Sequence, residues 1–199
     1  MQLLAALSNI LMNTAGPAPE TIDAAQRARK IAEAAGDIDY QLRTIQTLWN
    51  GCFSSGEIRK SEQLALTFQQ IAKASRDPSD DLLAHRLYAT SQFYLGNLSD
   101  AEKHIEQMLA GYAALPHGTN FARFGVAQLA SARALQLLIL LFRGFPDQAI
   151  KASEECVSEA LRTRNALTIC SVISSTCIST ALLIGDCESA NRYTSIVLA

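Results

Sequence analysis

Several things are scarce in this chain, and each scarcity removes a class of protein. Only 18% of its 199 residues are charged and the net charge is −2, so it offers no basic surface to nucleic acid or anionic lipid. Five prolines and ten glycines leave long stretches without a helix breaker, and β-branched runs are rare outside Thr168 to Thr180. No strand is needed to explain the pattern. The five cysteines, Cys52, Cys156, Cys170, Cys177 and Cys187, are odd in number and contain no C-x-x-C pair, which excludes a disulfide framework. Reduced cysteines buried in a cytosolic protein are expected instead, with Cys170 and Cys177 two turns apart on one core-facing side of a helix. The longest strictly apolar run, Leu137 to Phe142, is far below the roughly 20 residues that span a bilayer. Met1 to Leu7 has no positive charge in front of its apolar residues, and Asn9 and Asn13 break the apolar stretch beyond it, so a signal peptide is not expected.

Catalytic signatures are missing too. There is no G-x-x-x-x-G-K-[ST] phosphate loop, no H-E-x-x-H and no G-x-S-x-G. The three histidines, His85, His104 and His117, sit in separate segments, and no pair has metal-ligand spacing. A Cys–His centre would need tertiary contacts the sequence does not announce. The expectation is a protein with no catalytic, metal or cofactor site.

What is present is a repeat. Tyr94-Leu95-Gly96-Asn97-Leu98-Ser99-Asp100-Ala101 ends one helical pattern at a glycine and opens another at a small residue, the grammar of a helical hairpin. It recurs at Gly56 to Ser61, Gly144 to Ala149 and Gly185 to Ala190. Glycines 16, 56 and 96 are spaced by 40, and those at 96, 144 and 185 by 48 and 41. An insertion at Leu115 to Asn120, rich in turn formers, accounts for the long interval. Five hairpins result: Met1 to Asn13 with Glu20 to Ala35, Ile38 to Phe53 with Glu57 to Ser75, and Ser79 to Leu95 with Ser99 to Ala114. Ala122 to Arg143 with Pro146 to Arg164, and Ala166 to Ile184 with Cys187 to Ala199, complete the set. Second helices are amphipathic, as Ala101, Ile105, Met108 and Leu109 illustrate, and first helices are apolar nearly all round. A hairpin of this size cannot bury its apolar face alone, so the fold class is all-α, an α-α superhelix of stacked pairs forming one domain over 1–199. Apolar ends at Met1 to Leu4 and Ser195 to Ala199 suggest a fragment of a longer multidomain protein, with a possible homodimer through those ends.

The segment Leu95 to Ile105 resembles the inter-helix element of the tetratricopeptide repeat, in its longer, irregular variant. More narrowly, the chain is similar to the tetratricopeptide-like C-terminal region of large bacterial winged-helix/ATPase transcriptional regulators. The residues that carry this are Gly16 to Thr21, Gly36 to Leu42, Ala84 to Leu87, Tyr94 to Gly96, His104 to Leu109, Arg143 to Ala149 and Gly185-Asp186. That resemblance implies a cytoplasmic regulatory arm that binds protein, peptide or a small-molecule effector, including domains of its own parent, while DNA and ATP are handled elsewhere. A stand-alone adaptor holding an extended peptide is the alternative.

In stacked hairpins, polar residues on first helices line the groove where partners dock. The candidates are Arg43, Gln46 and Asn50, then His85, Tyr88 and Gln92, then Gln128 and Arg133. Arginine and tyrosine there suit an extended peptide or an anionic ligand. The small basic clusters Arg27, Arg29 and Lys30, and Arg59 with Lys60, fall on second helices, where a solvated face is the simplest reading.

Overall fold

The computed structural model describes residues 1–115, 124 and 127–198. Among these it has ten helices and no strand. They are α1 (Gln2–Thr14), α2 (Pro19–Ala35), α3 (Ile38–Ser54), α4 (Ile58–Ala72), α5 (Pro78–Tyr94) and α6 (Leu98–Ala114). Then come α7 (Gln128–Phe142), α8 (Pro146–Arg162), α9 (Ala166–Ile184) and α10 (Cys187–Leu198). Most helix ends fall within two residues of the sequence reading. The exceptions are α4, which stops at Ala72 rather than Ser75, and α7. The sequence pattern predicts a start for α7 at Ala122, but Ala127 has extended backbone (φ −64°, ψ 105°) and the helix begins at Gln128. The insertion residues 116–120, His117 among them, lie outside the described residues.

The punctuating glycines explain the agreement. Gly16, Gly56, Gly96, Gly144 and Gly185 all have φ between 72° and 89°, left-handed backbone that a side chain disfavours. At Gly96 the closing bonds run from its own N–H to the Phe93 carbonyl and from Asn97 N–H to the Gln92 carbonyl. Starts are set by side chains or by proline. Asp37 Oδ1 accepts from Tyr40 N–H, Asn165 Oδ1 accepts from Thr168 N–H, and Pro19, Pro78 and Pro146 open their helices.

The chain divides into two compact units. One contains α1 to α6 with Phe124. Its core is Leu42, Ile45 and Trp49 of α3, Phe68 of α4 and Leu83 and Leu87 of α5, with the Phe124 ring centre 6.1 Å from that of Phe68. A polar thread crosses it: Trp49 Nε1–H donates to Ser91 Oγ at 3.2 Å, and Ser91 Oγ lies 3.2 Å from Ser61 Oγ, tying α3, α5 and α4 together. On α1, Leu3, Leu7 and Ile10 are exposed.

The other unit contains α7 to α10, around Leu137, Cys156, Val157, Val172, Ile173, Cys177 and Tyr193. Its helix α9 is long and apolar enough to cross a membrane by length and composition, a property that counting strictly apolar residues passes over because Ser, Thr and Cys interrupt it. Here its buried side is part of the core against α8 and α10. Residues Ile173–Ile178 of α9 form a π-helical segment. That turn corrects the expectation for the cysteines. Cys177 is buried but Cys170 is exposed, because an i→i+5 turn between them takes up extra residues and rotates the second cysteine off the first one's face. The hydroxyls of Ser174 and Ser175 donate to the carbonyls of Cys170 and Ser171, backbone groups at the start of the widened turn.

Candidate binding groove

The eight residues chosen from sequence do not come to one place. Arg43 and Gln46 lie on a face of α3 turned to α1, where Gln2, Asn9, Tyr40 and Thr47 join them around a recess of about 230 Å³. Arg43 Nε sits 2.8 Å from Asp39 Oδ2, and its guanidinium lies 5.2 Å from the Tyr40 ring centre, so the cation is held while about a third of it stays exposed. Gln46 is buried and its Nε2–H donates to the Phe124 carbonyl at 3.4 Å. Asn50, one turn further along α3, is half-buried.

His85, Tyr88 and Gln92 turn instead toward second helices. His85 Nδ1 is 2.8 Å from His104 Nδ1 of α6, and Tyr88 stands edge-on to the His104 ring at 4.7 Å. Gln92 is buried between Glu62 of α4, whose Oε1 accepts from its Nε2–H at 2.6 Å, and Asn97, whose Nδ2–H donates to its Oε1 at 2.7 Å. In the second unit, Arg133 donates to Gln136 Oε1 and shares a recess with Glu154, Glu155 and Glu159 of α8. Gln128 is buried at the start of α7.

Repeat register explains the split. One 40-residue period carries Arg43, Gln46 and Asn50 onto Leu83, Arg86 and Thr90, whereas His85, Tyr88 and Gln92 correspond to Ile45, Leu48 and Cys52. The 48-residue interval carries His85 onto Arg133. The sequence expectation therefore pools two faces of the first helices. It also omits Arg86, the periodic partner of Gln46, which the glycine spacing could have found. Arg86 is 8% exposed, its Nε has no partner among the described residues, and its guanidinium lies 5.6 Å from the Trp49 ring. Burial pulls its pKa down to about 10, which still leaves it charged at neutral pH.

The histidine pair has a pH consequence. Burial lowers both pKa values; for His104 the neighbouring His85 and Lys103 lower it further, while Asp81 and Asp100 pull His85 and His104 respectively the other way. At 2.8 Å one Nδ1–H donates and the other Nδ1 accepts, so protonating both sets two N–H groups against each other. A depressed histidine pKa means the unfolded chain binds more protons, so stability is full above the ordinary value near 6.5 and declines as pH falls below it. We expect the melting temperature to drop by a few degrees between pH 7 and pH 5, and a His85→Gln variant to lose much of that slope. An equal slope in wild type and variant would contradict the pairing.

Cys156 and Cys177 are buried side by side, and their mutual hydrogen bond, with burial, pushes the Cys156 thiol up while the same bond pulls that of Cys177 down. Among the described residues no three His, Cys, Asp or Glu side chains cluster as metal ligands.

Comparison with known proteins locates the fold. A putative kinesin light chain from Podosopora anserina, described as having nearly identical TPR-like repeats, matches over 98% of this chain and 92% of its own, at 14% identity and a TM-score of 0.60. A second, substituted form of that protein matches over the same shares with a TM-score of 0.62. BtubC (BKLC) from P. vanneervenii matches over 89% of this chain and 70% of its own, at 18% identity and a TM-score of 0.65. Neither a protein-family model nor a curated protein matches the sequence. The fold is therefore that of TPR-like helical repeats.

Proposed function

We propose that this chain is a non-catalytic protein-interaction module, and that the α1–α3 face bearing Tyr40, Arg43 and Gln46 receives an extended peptide. The observation that carries this reading is the recess between two first helices, lined by amide, hydroxyl and guanidinium groups. Such a surface meets the main chain of an extended segment with hydrogen bonds and an acidic side chain with Arg43. The TPR-like fold supports it, because stacked hairpins present first helices side by side. The resemblance to regulator C-terminal regions supports a further setting: a cytoplasmic arm of a bacterial transcription regulator, its partner another domain of the same protein or a separate one. Exposed Leu3, Leu7 and Ile10 are where self-association would run.

Peptides selected from a random display library should be enriched in Asp or Glu and should bind an Arg43→Glu variant about tenfold or more weakly, the loss of one charge-assisted contact plus repulsion. Selected peptides that bind both proteins equally would overturn the assignment of this face. The regulator setting is tested by reading the native open reading frame: winged-helix and phosphate-loop sequences upstream are expected, and their absence would leave the stand-alone adaptor.

A further inference from the structure

Basic residues of two second helices share one recess. Arg29 and Lys30 of α2 and Lys60 of α4 stand on opposite walls of a cavity of about 560 Å³ whose floor is another face of α3. Leu48 and Cys52 of α3, with Ile22 of α2 and Leu64 of α4, give the recess an apolar lining. The volume falls in the range of sites for small organic ligands, about 300–1,000 Å³.

The recess exists because of three floor residues. One period on, the positions of Leu48, Gly51 and Cys52 are held by Tyr88, Ser91 and Gln92, which fill the equivalent space and are tied to His104, Ser61 and Glu62. In this repeat those positions carry smaller or purely apolar side chains, so the space stays open. Gly51 shapes its end: a Cβ there would lie 2.7 Å from Ile22 Cδ1 and 3.2 Å from Met12 Cε, so any larger residue would displace the tips of both side chains.

Charge on the rim is unequal. Arg29 Nε pairs with Glu33 Oε1 at 2.7 Å, and Lys60 Nζ with Glu57 Oε2 at 2.5 Å. Lys30 has no ion-pair partner among the described residues and is exposed. Three cations face two carboxylates across an apolar floor. We infer that this recess binds a small amphipathic monocarboxylate, with its apolar body on Leu48 and Leu64 and its single negative charge at Lys30. This site shares no residue with the α1–α3 face and stands or falls apart from the peptide reading.

Cys52 supplies an internal reporter. It is half-buried in the floor, while Cys170 and Cys187 are exposed elsewhere. Burial, and then Glu57, push its thiol up, so it alkylates slowly enough to be timed. The full chain is treated with iodoacetamide, with and without decanoate below its micellar concentration, and each cysteine is followed by peptide mass spectrometry. Saturating decanoate should slow Cys52 by about tenfold, leave Cys170 and Cys187 unchanged, and be needed at about tenfold higher concentration in a Lys30→Gln variant. Unchanged Cys52, equal slowing of all three cysteines, or equal protection by decanol would each overturn the proposal. Calorimetric titration of the same proteins with decanoate gives a thiol-independent reading: one site per chain, weakened about tenfold by Lys30→Gln, is expected, and the absence of binding refutes it.

Discussion

Phe68→Ala should lower the stability of the α1–α6 unit by about 3–5 kcal/mol and its melting temperature by roughly 10 °C. Phe68 is fully buried at the point where α3, α4 and α5 meet, packed in one cluster with Leu42, Ile45, Leu83 and Leu87 and against the Phe124 ring. Truncation removes the transfer energy of a phenyl group and leaves a cavity that the three packed helices close only in part. In repeat folds stability is summed over neighbouring interfaces, so the loss should be local first. Hydrogen exchange should accelerate in α3, α4 and α5, whereas the α7–α10 unit, whose core cluster shares no residue with this one, should change less. Phe68→Leu, which keeps most of the volume, should cost less than half as much. Urea melts of the two variants check the ranking. A Phe68→Ala loss under about 1 kcal/mol would mean that the cluster is not the core of this unit.

Arg86→Met should act in the opposite direction and stabilise the same unit by about 1 kcal/mol. Two terms compete at Arg86. Desolvation of a buried guanidinium, which pulls its pKa from 12.5 to about 10, costs roughly 3 kcal/mol. Its placement 5.6 Å from the Trp49 ring returns about 2 kcal/mol, and its Nε has no acceptor among the described residues. Methionine keeps the length of the side chain and its contact with Trp49, and removes the charge. If Arg86→Met melts lower than wild type, the guanidinium contributes net stability and the desolvation argument fails.

Much of the fold is legible from punctuation alone. A left-handed glycine every 40 to 48 residues closes each of the five first helices and precedes each of the five second ones, and the largest departure, the start of α7, comes after the insertion. The site is less legible. Grouping polar residues on first helices by chemistry ignores helical phase, which decides which of them share a surface, and the glycine period already carries that phase. His85, Tyr88 and Gln92 look like groove residues because nothing in their own helix names His104 and Glu62 as partners. Their packing depends on contacts 19 and 30 residues away in sequence. The π turn in α9 is invisible for a related reason: a run of Ser, Thr and Cys fits either hydrogen-bond register, and tertiary packing selects one.

The decisive experiment for the peptide reading is a hydrogen-exchange footprint of a display-selected acidic peptide on the full chain. Protection should concentrate in α1 and α3, centre on residues 40–47 and be lost in Arg43→Glu. Protection confined to α2 and α4, or to the α7–α10 unit, with the α1–α3 amides exchanging as in the free protein, would refute it.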